Sequence, residues 1–313
     1  MRGRCAGMDP GRAPAPRDVA MKRERAFIGL DLGGTNMRAV VVAESGPTGL
    51  QLATPAGGQI PAEQLFSRAA GLIERLRADA RGHDIAGVGV GLCGALVDGA
   101  KLEPGMSNLP NLVGIDLASE MPRRFGLPCR FGNDAQAAML AESMFGAIAG
   151  VENAVSVSLG TGIGSGLLLG GRLHRGVSSR AGEIGPWVPD LANVPTETLE
   201  DRAAPGSILR RGGRELGELL GSAATDAAAR REVESFFHHI GGALANIQLL
   251  LDLDAAVICG GITGAGRALR DGIWTAFAAA CPEGYRRNFS IHLSAFGGWA
   301  AAVGAGCFCM EER

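Results

Sequence analysis

The chain has 313 residues, 46% of them hydrophobic and 20% charged, with a formal net charge of −2. That is enough material for two cores sharing one cleft, and the charge balance gives no basic field to attract nucleic acid or an anionic membrane surface. No uninterrupted apolar stretch reaches the length of a membrane span, because glycine or charge breaks every candidate, including IQLLLDLDAAVICGG; a cytoplasmic protein is expected.

Residues 1–25 are rich in Arg, Pro and Gly and lack the apolar centre of a secretory signal. They are expected to be a disordered tail or an over-long start, with Met21 a plausible true beginning. Asp9, Asp18 and the prolines at 10, 14 and 16 oppose the amphipathic helix of an organellar presequence. From Phe27 to Val42 the text FIGLDLGGTNMRAVVV runs from an apolar strand through a carboxylate and two glycines to a second apolar strand. Gly33 and Gly34 allow a sharp turn and a close approach of backbone N–H groups to anionic oxygens, and Thr35 and Asn36 add short donors. Asp31 at the strand end can hold a hydrated Mg²⁺ against those phosphates. The segment reads as a nucleotide-phosphate hairpin.

An amphipathic helix over 62–80 follows, with Leu65, Ala69, Leu72, Ile73 and Leu76 on one face, and then a strand at 85–92. Gly89-Val90-Gly91-Leu92-Cys93-Gly94 satisfies GxGxxG, but a dinucleotide site needs a helix next, and ALVDGAKL carries an Asp98-Gly99 turn instead. No GxxxxGK[ST] is present, so the chain is not a P-loop protein. An Asn/Pro loop (104–114), a short helix and a strand (128–131) close the first half.

A helix from Asp134 to about Ala147 opens the second half. The strand AVSVSL (154–159) then leads into Gly160-Thr161-Gly162-Ile163-Gly164-Ser165-Gly166, the strand LLL and a Gly170-Gly171 turn. This second strand–glycine loop–strand unit implies a duplicated half-domain whose two loops face each other and grip a triphosphate from both sides. A long irregular loop (174–200), helices to about 251, the strand AAVICGG and a terminal helix in WAAAVGAGCFCMEER, returning to the first domain, complete an α/β architecture with a mixed sheet in each half. His238-His239 read as a packed and a solvated helix residue. The seven cysteines are scattered in mostly apolar surroundings and fit no disulfide framework, and Cys307-Phe308-Cys309 lacks a second ligand pair.

Between the two loops, Gly132-Asn133-Asp134-Ala135 ends a strand and opens a helix. Asp134 is suited to cap that helix. Asn133 beside it, Asn108 in SNLPNL, Glu183 in AGEIG and Glu200 in TLED add short amides and carboxylates on loops that converge on the same cleft. Such groups read vicinal sugar hydroxyls through paired hydrogen bonds, and phosphoryl transfer to a hydroxyl needs a base, for which Asp134 is the candidate.

Taken together and in order, DLGGTNMR, NLPNL, GNDAQAAMLAE, SLGTGIGSGLLLGGRLHRG, AGEIG, LEDRAAPGS and VICGGI resemble the ROK family (repressors, uncharacterised frames and sugar kinases) of the hexokinase/actin/Hsp70 superfamily, from about residue 26 to the C-terminus. The resemblance implies a duplicated ribonuclease H-like (actin-like ATPase) fold with two domains and a cleft between them. The small domain would be 26–132 plus the C-terminal helix at about 298–313, and the large one 133–297. It further implies ATP-dependent phosphorylation of a hexose or hexosamine hydroxyl, with Mg²⁺, in a homodimer with no nucleic-acid or membrane partner. Asp31, Gly33, Gly34, Thr35, Asn36, Gly160, Thr161, Gly162 and Gly164 match the phosphate loops, and Gly260-Gly261 the adenosine contact, where a following helix can present its N-terminus. Asp134 matches the catalytic base, and Asn108, Asn133, Asp134, Glu183 and Glu200 match sugar contacts.

One departure stands out. Family kinases continue GEIG with a His that touches the sugar and ligates zinc, followed by a CxCGxxGC cluster; here Pro186 stands in its place and no Cys lies between 130 and 258. No structural zinc is expected, Pro186, Pro189 and Pro195 stiffen the loop instead, and one sugar contact is lost. The alternative is a weak or inactive sugar-sensing regulator. ROK repressors carry an N-terminal helix-turn-helix, for which 25 Pro-rich residues are too short.

Overall fold

The computed structural model describes residues 23–57, 60–97, 100–105, 107, 109–189 and 197–311. The first half begins with β1 (Glu24–Leu32), β2 (Asn36–Ala43) and β3 (Gly46–Pro55), followed by α1 (Ala62–Asp79) and β4 (His83–Leu92). A two-stranded excursion, β5 (Leu96–Val97) and β6 (Lys101–Leu102), precedes α2 (Leu117–Phe125) and β7 (Cys129–Asn133). Then come α3 (Asp134–Phe145), β8 (Ala154–Leu159), β9 (Ile163–Leu169) and β10 (Arg172–His174). The helical run is α4 (Leu199–Ala203), α5 (Pro205–Gly212), α6 (Leu216–Ser222) and α7 (Ala227–Leu251). After it lie β11 (Ala255–Cys259), α8 (Arg267–Ala280), α9 (Glu283–Arg286), β12 (Ser290–Leu293) and α10 (Ala300–Cys307).

The two main sheets have one topology. Among the described residues their orders are β3-β2-β1-β4-β7 and β10-β9-β8-β11-β12. In each, the first three strands form an antiparallel meander and the last two run parallel to its first strand. The duplication inferred from two glycine loops is therefore a duplication of the whole sheet. The third strand of each half escapes the sequence reading. In β3 burial alternates along an edge strand that carries Pro47 and Gly49, and an edge needs neither a continuous apolar run nor every N–H.

α1 covers one face of the first sheet through Leu65, Ala69, Leu72, Ile73 and Leu76, as the spacing predicts, whereas α7 and α8 cover the outer face of the second. α3 and α10 lie between the sheets: α3 packs on β8 and β9, α10 on β1, β2 and β4, and the two helices on each other. That middle layer is made of small residues. A Cβ added at Gly29 would sit 1.9 Å from the Ala302 carbonyl oxygen, one at Gly89 1.7 Å from that of Ala305, and one at Gly304 1.6 Å from that of Ala137. Gly89, the first glycine of the GxGxxG segment, is thus a packing residue, whereas Gly94 adopts a positive φ of 121°. β4 continues into the β5–β6 excursion, with no helix in between.

Three boundaries differ from the sequence reading. β9 starts at Ile163, so Gly164, expected to bind phosphate, belongs to the β8–β9 ladder and is small because a Cβ there would meet that of Ala135 at 2.8 Å. The cap of α3 is Asn133, not Asp134. After Gly260 comes a 3₁₀ turn, Gly261–Ala265, and the helix begins only at Arg267, so no helix N-terminus stands directly behind Gly261.

The packing account makes a paired prediction. Gly89→Ala forces α10 off the sheet and is expected to destabilise the protein by about 2–3 kcal/mol or more, while Gly71→Ala, whose added methyl meets nothing within 4 Å on α1, stabilises it by roughly 0.5–1 kcal/mol. Urea midpoints of the two variants check both signs.

Candidate functional site

The two glycine loops are tight turns closed by their own first amide. The N–H of Gly33 donates to the Asn36 carbonyl at 3.1 Å, and that of Gly160 to the Gly162 carbonyl at 3.0 Å. These two N–H groups are thereby spent on the turns, a correction to the expectation that both face phosphate. The loops proper are Gly33-Gly34-Thr35 and Gly160-Thr161-Gly162, with Asn36 opening β2. A side chain at Gly162 would displace the Glu200 carboxylate from its bond to the Ile163 N–H, since a Cβ would lie 2.3 Å from that carboxylate oxygen. Gly260, at φ 105°, abuts the same loop, where a Cβ would come within 2.1 Å of the Leu159 carbonyl oxygen. The Gly260-Gly261 corner therefore sits against the strand that carries the second loop.

Asp31 ends β1 and is 6% exposed, and the β1–β2 register sets it opposite Arg38, whose guanidinium lies 3.6 Å from its carboxylate. Burial pushes Asp31 up to about 6, against the pull of Arg38. Asp134 begins α3 beside it. Asn133 does the capping, its Oδ1 accepting from the N–H groups of Ala135 and Gln136 at 2.9 and 3.1 Å while its Nδ2 donates to the Gly94 carbonyl at 3.2 Å. The Asp134 carboxylate accepts the adjacent Ala135 N–H at 2.8 Å. Burial, then the negative charges of Asp31 and Glu183, push Asp134 up to about 7, with the Ala135 N–H opposing. A half-buried carboxylate poised near neutrality is what a general base requires.

Of the expected sugar contacts, Glu183 lies in the electrostatic reach of Asp134, and burial and Glu200 raise its own pKa while Arg180 lowers it. Glu200 is already engaged: it accepts the Ile163 N–H at 2.8 Å, bracing the second loop from below. Asn133 keeps one amide N–H beyond its capping and Gly94 bonds. Asn108, and the Asp98-Gly99 turn, lie outside the described residues. Pro186 is exposed beside the buried Gly185. Sequence reasoning missed Arg38 and Arg180. Hairpin register alone pairs position 31 with 38, so the first was within reach; the second forms an ion pair with Glu103, 77 residues away, which no local pattern announces.

Among the described residues no group of three or more His, Cys, Asp and Glu side chains is arranged to hold a metal. Asp31 and Asp134 offer hard oxygens only, a donor set that fits a hydrated Mg²⁺ completed by water and phosphate and does not fit a sulfur- or imidazole-bound zinc.

Two copies of one sheet, a glycine turn at the end of the leading strand of each, and a near-neutral carboxylate between them define an ATPase-type phosphoryl-transfer fold of the actin-like class. The sequence model of the ROK family matches residues 27–312, and the chain belongs to that family. Its relatives include the glucokinase of Streptomyces coelicolor, 28% identical over 91% of this chain and 97% of the other, and the N-acetylmannosamine kinase of Yersinia pseudotuberculosis, 31% identical over 75% and 82%. Among solved structures, a ROK family glucokinase from Streptomyces griseus in complex with glucose and AMPPNP superposes with a TM-score of 0.78 at 25% identity, covering 90% of this chain and 98% of that one.

Because the folded chain holds the Asp134 proton more tightly than the ordinary value of 3.8, it binds more protons than the unfolded chain between that value and about 7. Stability therefore falls as pH rises through this window. Asp134→Asn, neutral and isosteric, is expected to raise Tm at pH 8 and to lose most of that advantage toward pH 4. Thermal melts across the range check it, and an unchanged or lower Tm at pH 8 contradicts the burial of a charged Asp134.

Proposed function

We propose that this ROK protein is an ATP-dependent kinase transferring the terminal phosphoryl group to a hydroxyl of a hexose or hexosamine, the 6-hydroxyl in a glucokinase-like reaction. The observation that supports this most is Asp134: a carboxylate pushed up to about 7, at the first residue of a helix between two glycine turns. Such a group takes the proton of an attacking hydroxyl as the bond to phosphorus forms. Glucose and AMPPNP in the Streptomyces griseus relative support the same pair of substrates here.

In this reading the amides of Gly34, Thr35, Thr161 and Gly162 cradle the phosphates, and Gly260-Gly261 meets the adenosine. Asp31 holds a water-coordinated Mg²⁺, which when bound neutralises charge developing on the transferring group. Glu183, the free carboxylate oxygen of Glu200, the spare N–H of Asn133, and Asn108 orient the sugar so that one hydroxyl meets Asp134. The two halves correspond to a small domain over 26–132 with α10 and a large one over 133–297, and closure of the cleft excludes water that would otherwise accept the phosphoryl group. We further read the protein as a cytoplasmic homodimer, as the family resemblance implies; no helix among the described residues is long and apolar enough to cross a membrane.

ADP release across glucose, mannose, fructose, allose, glucosamine, kanosamine, N-acetylglucosamine and N-acetylmannosamine tests the activity, and no turnover with any of them contradicts it. Asp134→Asn is expected to lower turnover by roughly two to four orders of magnitude with sugar binding retained, and near-normal turnover removes Asp134 as base. Purified protein is expected to keep its fold in chelator and to need added Mg²⁺ for activity. One tightly held zinc per chain by elemental analysis overturns the expectation drawn from Pro186 and the missing cysteines.

A further inference from the structure

Neither glycine loop, 31–36 or 160–164, carries a Lys or Arg, although the ligand proposed for them is a polyanion. The nearest cation along the chain is Arg38, two residues beyond Asn36 on β2 and so on the same face of that strand. The β1–β2 register sets it opposite Asp31, one rung from the end of the ladder. On this face Gly29 receives α10, and the turn Gly297–Trp299 that leads into α10 comes up beside Arg38: a Cβ added at Gly298 would lie 3.9 Å from its Nη2. Its Nη1 is 3.6 Å from the Asp31 carboxylate, the one ionic or hydrogen-bonding partner Arg38 has among the described residues. The side chain is 32% exposed, so solvent reaches it where it does not reach Asp31. A guanidinium has five N–H donors in a planar fork, and one carboxylate at that distance leaves most of them free. The charge thus has the carboxylate of the first loop on one side. On the other is the turn whose Gly297 carbonyl holds the Gly260 N–H at 3.4 Å.

We propose that Arg38 is a nucleotide-binding residue: its guanidinium donates to oxygens of the phosphates that lie between the nucleoside and the transferring group. This rests on the sugar-kinase reading above and adds to it the cation that the two loops lack. The ligand class follows from the fork of donors, which takes two phosphate oxygens at once, whereas a nucleoside without phosphate offers it no anion. Asp31 faces the same phosphates, and without Mg²⁺ its charge opposes them. Arg38 therefore serves two anions, one from the protein and one from the ligand. The rival role is that of counter-ion to Asp31 alone, and a thermodynamic cycle separates the two.

The test measures Kd by calorimetry for ADP, AMP and adenosine, in EDTA and again with Mg²⁺. It compares wild type with Arg38→Lys, Arg38→Met, Asp31→Asn and the double variant Asp31→Asn with Arg38→Met. Arg38→Met is expected to weaken ADP binding roughly ten-fold, AMP binding less and adenosine binding less than about two-fold, with Arg38→Lys intermediate for ADP. If Arg38 only balances Asp31, its loss ceases to matter once Asp31 is neutral. If it holds phosphate, Arg38→Met still weakens ADP binding roughly ten-fold in the Asp31→Asn background, read under whichever metal condition binds more tightly. A change of less than about two-fold in that background overturns the proposal, and so does an equal loss for adenosine and ADP. Failure of both Arg38 variants to fold overturns it too, because a residue kept for the ligand is not one the fold requires. Wild type that binds ADP but phosphorylates no sugar refutes the kinase activity while the variants' Kd values still test Arg38; wild type that binds none of the nucleotides under either condition refutes both.

Discussion

Asp31 and Asp134 are both held far enough out of water to resist ionisation, Asp134 also against the negative charge of Asp31; the rest of the structure can be understood from that constraint. A charge desolvated beside a like charge is expensive, and the fold tolerates it because the backbone around it is fixed on every side. Asp31 is locked by the β1–β2 ladder and partly offset by Arg38. Asp134 is locked by the Asn133 cap, which takes up the exposed amides of α3 and spares the Asp134 side chain that duty. What is a liability for stability alone becomes, in the proposed function, a proton acceptor tuned near neutrality, a cost of the kind that folds concentrate at reactive sites.

The middle layer of α3 and α10 makes this arrangement possible. α10 comes from the end of the chain yet lies flush on β1 and β4, while α3 starts at Asp134 and packs against α10 at the Ala137–Gly304 contact. Near contact of backbones through Gly29, Gly89 and Gly304 fixes the distance between the two sheets, and with it the distance between the glycine turns at their edges. A second tie is the buried Glu142 of α3, whose carboxylate accepts from Ser294 and from the N–H groups of Ala147 and Ala295. The segment it anchors continues to Gly297, whose carbonyl receives the Gly260 N–H at 3.4 Å. One helix thereby presents Asp134 at its N-terminal end and steadies the Gly260-Gly261 corner from its C-terminal end.

Much of this was legible in the sequence. Both glycine hairpins, the helix beginning at 134, the amphipathic face of α1 and the strand before Gly260 follow from local periodicity and turn chemistry, and the joint order of the motifs identified the family. Edge strands β3 and β10 were not legible, because an edge strand is only half buried and tolerates proline and glycine. Glycines have several causes that one symbol cannot separate. Gly33 and Gly160 close turns, Gly162 makes room for Glu200, Gly164 makes room for Ala135, and Gly89 admits a helix 216 residues further on. Division of labour within Asn133-Asp134 depends on which residue adopts the extended backbone of a cap, and that is set by β7. Long-range pairing of Arg180 with Glu103 has no local signature at all.

The most direct test is to observe the Asp134 carboxyl group itself. Carbon-13 carboxyl NMR of Asp-labelled protein without sugar or nucleotide, titrated from pH 4 to 9 and assigned by comparison with Asp134→Asn, is expected to show a signal with an apparent pKa close to 7. A titration midpoint near the ordinary value of 3.8, with Asp134 fully charged by pH 5, would contradict the account, since a solvated aspartate there could neither be the desolvated partner of Asp31 nor a base tuned to neutral pH.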